Sequence, residues 1–256
     1  MTPDDHRLAA QLADEAGNRL LDLRAGGGEP AGLRKAGDRL SHEFLTERLA
    51  SLRPDDAVLS EEGKDDPVRL AAQRVWIVDP LDGTREFGEP GRTDWAVHVA
   101  LWESGGLAAG AVALPAQSRV LSTAQPPVPP PFTGTDSGRK LRLTVSRTRP
   151  PAFMPKLCEL MNAELVPLGS AGAKAAAVIS GEVDAYVHSG GQYEWDSAAP
   201  AAVVMAAGMH ASRLDGSTLA YNQPDPVLPD IVMCPAVLAA QLLEGIRSAG
   251  GLSQVA

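Results

Sequence analysis

The chain has 256 residues, a formal net charge of -9 and a pI near 5.0. Hydrophobic residues make up 44% and charged residues 21%, which is the composition of a globular protein that buries a core. The acidic balance argues against binding to nucleic acid polymers, and no apolar run is long enough to span a membrane. A small phosphate ester would also be repelled unless a bound cation reversed the local charge, so the net charge already suggests a metal site.

The cysteines and the N-terminus predict a cytoplasmic protein. Cys158 and Cys234 form neither a disulfide framework nor a CxxC metal pattern, so we interpret them as reduced thiols. The first residues contain no basic stretch that leads into an apolar run, and no signal peptide is predicted.

Two helices are predicted at the start of the chain. Leucines recur at helical spacing from Leu8 to Leu23 with polar residues between them, which predicts an amphipathic helix. The glycines at 26–28 and the following Pro30 end this helix in a loop. A second helix is predicted from about Asp38 to Ser51, because its apolar residues lie on one face.

Strands dominate the next part of the chain. The apolar run 75–78 predicts a buried strand, and 95–102 and 110–114 predict two more. The prolines between 126 and 131 exclude a helix or a central strand, and they mark either a boundary or a stiff surface loop. Residues 141–146 alternate in polarity as a strand does.

Strands and helices alternate in the last part of the chain. The predicted elements are a strand at 165–168, a helix at 173–180, a strand at 185–188 and a helix at 198–207. This alternation predicts a layered α/β architecture. We expect one domain over 1–256, with an α+β half at about 1–135 and an α/β half at about 136–256.

The residues that follow the strand at 75–78 carry the most specific signal. They are Asp79, Pro80, Leu81, Asp82, Gly83 and Thr84. Pro80 disfavours helical angles at Asp79, so the Asp79 carboxylate points out of the C-terminal end of the strand. Gly83 can take a positive φ angle, and Thr84 can open a helical turn whose free N–H groups suit a phosphate oxygen. Carboxylates beside a hydroxyl offer the hard oxygen ligands that suit magnesium, although Asp-Pro and Asp-Gly alone are common in ordinary turns.

The segment DPLDGT at 79–84 resembles the core signature of the inositol monophosphatase family of lithium-sensitive, magnesium-dependent phosphatases. LSEEG at 59–63 resembles the upstream acidic pair of that family, and WDSAA at 195–199 resembles its downstream Trp-Asp motif. The three motifs stand in the family's order and spacing, and the resemblance extends over about 35–208. It implies an α/β/α/β/α sandwich, a single phosphatase domain, a homodimer, and inhibition by Li⁺.

The resemblance also implies the metal ligands. Glu61 and Asp79 would hold a first Mg²⁺ with the help of the Leu81 carbonyl, and Asp79, Asp82 and Asp196 would hold a second. Four carboxylates that converge without a metal would repel one another strongly, so the site should depend on a cation.

A third magnesium position and the catalytic groups follow from the same resemblance. Asp38 matches an aspartate near a third, weaker ion, but Lys35 stands where the family has threonine, so the implied number of ions is two or three. Thr84 and Glu61 would orient the attacking water, with Asp38 beside them. The amides of Asp82, Gly83 and Thr84 would hold the phosphate, and no covalent intermediate is expected.

Two segments point to the substrate. Arg85-Glu86-Phe87 differs from the Asn-Phe ending of inositol phosphatases and resembles the bisphosphate nucleotidase branch, which acts on adenosine 3′,5′-bisphosphate. Ser146-Arg147 resembles the Ser-Arg segment of that branch and lies in a basic cluster over 139–149. Arg142, Ser146 and Arg147 would bind the second phosphate, or else the arginines lie on a solvated strand face.

Lys174 follows the segment GSAGA at 169–173, which loosely resembles a phosphate-binding loop without a Walker ending. We interpret this segment as a strand-to-helix turn whose helix N-terminus faces the cleft. Lys174 then either contacts the substrate or is an exposed helical lysine.

These observations predict a magnesium-dependent phosphatase of sulfur metabolism. It would hydrolyse the 3′-phosphate of adenosine 3′,5′-bisphosphate to AMP and phosphate, with the corresponding phosphosulfate as a further substrate. One alternative is an inositol monophosphatase or fructose-1,6-bisphosphatase of broad specificity. A second is a non-catalytic regulator that binds metal or nucleotide, although every expected ligand position is filled.

Overall fold

The computed structural model describes residues 4–134 and 138–254, which contain seven α-helices and ten strands. The helices are α1 (Asp5–Ala25), α2 (Pro30–Leu52), α3 (Thr84–Gly88), α4 (Met154–Met161), α5 (Ala171–Ile179), α6 (Glu194–Ala206) and α7 (Ala239–Ser248). The strands are β1 (Ala57–Ser60), β2 (Arg74–Asp82), β3 (Ala96–Glu103), β4 (Gly106–Leu114), β5 (Arg119–Ser122), β6 (Leu141–Ser146), β7 (Ala163–Leu168), β8 (Ala185–Tyr193), β9 (His210–Ser212) and β10 (Val227–Cys234). The predicted boundary between the two halves, at 135 and 136, lies outside the described residues.

The strands form two five-stranded mixed sheets. The first has the order β1-β2-β3-β4-β5, in which β1 and β2 are parallel and the other neighbours are antiparallel. The second has the order β7-β6-β8-β10-β9, in which β6 runs parallel to both β7 and β8. Strand β10 is antiparallel to its neighbours β8 and β9.

Helices cover both faces of each sheet. In β2, Trp76 and Val78 pack with α1 and α2, whereas Val75 and Ile77 pack with α5 and α6 on the opposite face. The run 75–78 is therefore apolar at every position, because a strand that is buried on both faces needs no polar alternation. Helices α4 and α7 cover the outer face of the second sheet. The predicted α/β/α/β/α sandwich is confirmed.

The two central helices consist mostly of small residues. All nine residues of α5 are buried, and α6 is buried along most of its length. A helix that is enclosed between two sheets has no solvent-exposed face and is apolar all round. Alanine and glycine keep these helices thin, so both sheets can approach them.

Several element boundaries differ from the sequence prediction. Helix α2 begins at Pro30 rather than near Asp38, since proline is favourable in the first turn of a helix. Strand β2 continues through the predicted turn as far as Asp82. The elements α4, α7, β1, β5, β9 and β10 were not predicted from the sequence. None of the described helices is both long and apolar enough to cross a membrane.

Candidate active site

A bulge in β2 brings the first two carboxylates together. Asp79 pairs with His98 of β3, and Asp82 pairs with Ala96. Between these two pairs the chain advances by three residues in β2 but by only two residues in β3, so β2 contains one extra residue. Residues three apart in a regular strand point to opposite faces, and one extra residue reverses that parity. Asp79 and Asp82 therefore face the same point, and Gly83 ends the strand with a φ of 85°.

A third carboxylate reaches the same point from α6. Asp196 lies in the first turn of α6 and accepts a hydrogen bond from the Tyr193 N–H at 2.7 Å. Oxygen atoms of Asp79, Asp82 and Asp196 all lie within 4.8 Å of one another. Glu61, just after β1, is exposed over part of its surface, but its carboxyl group is turned toward the cluster and is close enough to that of Asp79 to share a hydrogen bond.

The acidic cluster carries more negative charge than the protein groups around it offset. Burial and the neighbouring charges raise the pKa of Asp79 well above its ordinary value. Burial and the charge of Asp82 raise the pKa of Asp196 to about 6, and burial and the charge of Asp196 raise the pKa of Glu61 to about 7. Clustered carboxylates with this excess charge fit a hard dication such as Mg²⁺.

The metal-free protein is expected to lose stability as pH rises, and Mg²⁺ is expected to restore it. The pKa of Asp196 is raised from 3.8 to about 6, and that of Glu61 from 4.5 to about 7. Between these lower and upper values, the folded state binds more protons than the unfolded state. Their contribution to stability is therefore complete at lower pH and is lost as pH rises through this range. Thermal unfolding from about pH 5 to about pH 7.5 should show a Tm increase on adding Mg²⁺ that grows with pH. An increase that is equal at both ends of the range would contradict this account.

Asp82 differs from its neighbours because it is surrounded by donors. Its Oδ2 accepts hydrogen bonds from the Ser170 hydroxyl at 2.5 Å and the Gly172 N–H at 2.7 Å, and His98 Nε2 lies 3.1 Å away. Burial raises the pKa of Asp82, but His98, Lys174 and Ser170 outweigh burial and hold this pKa at about 2. Asp82 is therefore the carboxylate of the cluster that stays ionised most readily.

Thr84 lies beside the cluster, at the start of α3. Its hydroxyl is 3.0 Å from the Leu81 carbonyl oxygen and 3.2 Å from Asp38 Oδ1. Burial and the charge of Glu62 raise the pKa of Asp38 to about 6. The structure thus brings Asp38, Leu81 and Thr84 together, as the resemblance implies.

A cavity of about 470 Å³ opens beside the acidic cluster. Its lining includes most of the residues that the sequence analysis assigned to metal and substrate: Asp82, Gly83, Thr84, Ser146, Arg147, Lys174 and Asp196. They come from β2, α3, β6, α5 and α6, so the cavity lies between the two halves of the chain. Its size fits a small metabolite.

Lys174 forms part of the cavity wall. It is only 4% exposed, and its ammonium group donates hydrogen bonds to the carbonyls of Gly169 and Ser170. It also lies 5.2 Å from the centre of the Tyr186 ring. Burial lowers its pKa to about 8. The interpretation of Lys174 as an exposed helical lysine is therefore wrong.

Arg142 does not belong to this cavity. It lies at the start of β6, where it donates a hydrogen bond to the Gly181 carbonyl at 2.8 Å and lines a different cavity near Asp184. Ser146 lies at the opposite end of the same strand, roughly 13 Å away at about 3.3 Å per residue. The prediction that Arg142 contacts the substrate is therefore corrected: Arg142 does not reach the cavity that Ser146 lines.

The other arginines divide into paired and unpaired groups. Arg147 lines the cavity, but it forms ion pairs with Glu86 at 2.7 Å and Glu89 at 2.8 Å. Arg85 and Arg149 also line it, and both are exposed. Neither guanidinium group has a hydrogen-bond or ion-pair partner within residues 4–134 and 138–254. Among the described arginines of the cavity wall, these two are therefore the ones without an internal ion pair.

Sequence reasoning did not place His98 at this site. It is fully buried in β3 between two parts of the acidic cluster, and the available signal was a histidine within the apolar run 95–102. His188 also lines the cavity, but its Nε2 contacts the Gly190 carbonyl at 2.6 Å, and burial lowers its pKa to about 4. A neutral, locally bonded imidazole fits a structural rather than a catalytic role for His188.

Comparison with known proteins identifies the family. Residues 6–249 match the sequence profile of the inositol monophosphatase family. The chain is 56% identical to the 3′-phosphoadenosine 5′-phosphate phosphatase of Mycobacterium leprae, over 95% of this chain and 93% of that protein. It is 31% identical to the 3′(2′),5′-bisphosphate nucleotidase CysQ of Salmonella typhimurium, over 85% and 94%. The inositol monophosphatase II structure from Staphylococcus aureus has a TM-score of 0.76 at 22% identity over 91% of each chain, which shows the shared fold. The chain therefore belongs to the inositol monophosphatase family.

Proposed function

We propose that this protein is a magnesium-dependent phosphatase that converts adenosine 3′,5′-bisphosphate into AMP and phosphate, and that it also acts on the corresponding phosphosulfate. The main support is the cavity, which has an acidic cluster for a dication and two arginines, Arg85 and Arg149, that form no ion pair within the described residues. A substrate with two phosphates matches a site that offers positive charge in two places. The phosphatase and nucleotidase relatives named above agree with this substrate class.

The proposed metal ligands are the four carboxylates and one carbonyl predicted from the sequence. They are Glu61, Asp79, Asp82, Asp196 and the carbonyl oxygen of Leu81. When bound, magnesium supplies positive charge for the phosphoryl oxygens and lowers the pKa of water. Two ions are proposed for these ligands, and Asp38 marks the position of a third.

The remaining catalytic tasks fall to side chains and amides of this chain. Thr84 and Glu61 orient the attacking water, and the contact of Thr84 with Asp38 keeps the hydroxyl in place. The amides of Asp82, Gly83 and Thr84 hold the phosphate at the start of α3. This arrangement places the water and the phosphate within one small site, with no covalent step.

The rest of the cavity binds the substrate beyond the reacting phosphate. Lys174 and Ser146 line the wall and contact the substrate. Arg147 keeps its two carboxylate partners and shapes the wall, so the second phosphate falls to an unpaired arginine, for which Arg149 is the candidate. This proposal replaces Arg142, which lines a different cavity.

The substrate proposal is tested by phosphate release with Mg²⁺. Adenosine 3′,5′-bisphosphate, inositol 1-phosphate and fructose 1,6-bisphosphate are compared at matched concentrations. We expect kcat/KM for the nucleotide to be at least about tenfold higher than for inositol 1-phosphate, since a paired second phosphate is worth roughly one tenfold step or more. Fructose 1,6-bisphosphate also has a second phosphate, so a higher efficiency on the nucleotide than on this sugar tests recognition of the nucleotide itself. Equal or higher efficiency on inositol 1-phosphate or fructose 1,6-bisphosphate would favour the broad-specificity alternative.

Metal removal and lithium complete this test. Chelation should abolish turnover, added Mg²⁺ should restore it, and Li⁺ should inhibit by competing for a magnesium position. A protein that binds Mg²⁺ but turns over none of the three esters would instead be the non-catalytic regulator.

We also propose that the protein is a cytoplasmic homodimer. The free thiols of Cys158 and Cys234 support a reducing compartment. The dimer rests on the family resemblance alone, and a solution mass measurement by size exclusion with light scattering decides it.

A further inference from the structure

His98 lies between the segments that carry two of the proposed metal ligands. Its Nδ1 is 3.1 Å from the carbonyl oxygen of Trp195, the residue before Asp196. Its Nε2 lies 3.1 Å from Asp82 Oδ2, but this contact does not have hydrogen-bond geometry, and Nε2 has no hydrogen-bond partner in the described part of the chain. Both ring nitrogens thus face hydrogen-bond acceptors, one on each side of the acidic cluster.

The position of the imidazole is tightly constrained. The ring is fully buried, and Gly172 lies directly against it. A Cβ atom at Gly172 would be 2.3 Å from His98 Nε2, so only glycine leaves room for the ring. The N–H of the same glycine donates to Asp82 Oδ2 at 2.7 Å. The start of α5 and the middle of β3 therefore converge on one carboxylate oxygen.

This convergence decides which Asp82 oxygen is available to a metal. Oδ2 is surrounded by the Ser170 hydroxyl, the Gly172 N–H and His98 Nε2. A carboxylate with one oxygen held by two hydrogen bonds and packed against the imidazole cannot rotate freely, and its other oxygen is left for an ion. Outer groups that hold a metal ligand in this way contribute strongly to metal affinity.

A purely structural role accounts for only part of these contacts. A buried core histidine needs a partner for its polar atoms, and the Trp195 carbonyl alone would satisfy Nδ1. It would not explain why Nε2 faces a carboxylate of the acidic cluster, in a pocket that requires glycine at position 172.

We propose that His98 is a positioning residue for magnesium, which holds Asp82 and the Trp195–Asp196 segment in the geometry that the ion requires. The proposal rests on the metal site of the proposed function, but it does not depend on which phosphate ester is hydrolysed. It predicts an effect on Mg²⁺ affinity in the absence of any substrate.

The test compares His98→Asn with His98→Gln in the full-length protein. The asparagine amide is too short to reach Asp82, whereas the glutamine amide nitrogen can occupy the place of Nε2. Isothermal titration with Mg²⁺ alone should show a Kd about 10- to 100-fold higher for His98→Asn, and within about fivefold of wild type for His98→Gln. Thermal unfolding in a chelator measures the fold separately.

Each outcome decides the proposal. A folded His98→Asn variant that binds Mg²⁺ within twofold of wild type overturns it, as does a His98→Gln variant that binds as weakly as His98→Asn. If His98→Asn does not fold, His98→Gln decides alone, because a folded glutamine variant with more than tenfold weaker binding refutes the role of the donor. Absent turnover with normal Mg²⁺ binding would refute only the proposed function.

Discussion

Replacing Asp79 by asparagine is expected to lower kcat by at least about 10³-fold and to raise the Tm of the metal-free protein, since a lost metal ligand costs several kcal/mol of transition-state stabilisation. Asp79 is 1% exposed, and burial, together with the charges of Glu61, Asp82 and Asp196, raises its pKa. Asparagine retains an oxygen for the hydrogen bond from the Leu81 N–H, which is 3.0 Å long. The variant therefore loses one negative charge, which both holds the metal and repels the neighbouring carboxylates.

A lower kcat together with a higher Tm of the metal-free protein is the expected combination, and general damage to the fold would lower both. Activity is measured as phosphate release at saturating Mg²⁺, and Tm is measured with and without a chelator. Asp14→Ala, on the exposed face of α1, is the matched control and should change neither quantity. More than a tenth of wild-type activity in Asp79→Asn, or a lower Tm in the chelator, would show that Asp79 is not a metal ligand within a repulsive cluster. Such a trade-off between stability and activity is common at functional sites.

The sequence identified the carboxylates but not the backbone that orients them. The motif from Asp79 to Thr84 predicted two convergent aspartates and a glycine turn, and Gly83 does have a positive φ angle. The prediction ended the strand at Asp79, whereas β2 continues to Asp82 with an extra residue. A bulge depends on the pairing of β2 with β3, and a single strand's sequence does not contain that pairing.

Contacts between residues that are far apart in the sequence were the least predictable. His98 contacts Asp82 and Trp195 only because β3, β2 and α6 meet at one point. Arg142 and Ser146 are four residues apart in β6, so their side chains lie on the same face of the strand. The alternation of faces along a strand therefore could not tell which of the two reaches the substrate. What separates them is position along the strand, since only the C-terminal end of β6 borders the cavity.

Replacing Arg149 by alanine is expected to raise KM for adenosine 3′,5′-bisphosphate by about 10- to 100-fold, because charge-assisted hydrogen bonds to a phosphate contribute about 1.5–3 kcal/mol. Turnover of adenosine 3′-phosphate, which lacks the second phosphate, should change less than about twofold in kcat/KM by the same reasoning. The basis is that Arg149 lines the cavity without a partner for its guanidinium group in the described residues, whereas Glu86 and Glu89 already engage Arg147. An arginine that is free of internal partners has most to gain from an incoming phosphate.

Steady-state kinetics of both nucleotides on three variants separates the possible assignments. Arg142→Ala is the control, because Arg142 lines the other cavity and its removal should leave both KM values unchanged in a folded protein. Arg85→Ala tests the second unpaired arginine, which follows Thr84 at the start of α3. If Arg85→Ala alone shows the selective loss, the second phosphate lies against α3 and the assignment to Arg149 is wrong. If Arg149→Ala weakens both nucleotides equally, Arg149 contributes general attraction for anions, and recognition of the second phosphate lies elsewhere in the cavity.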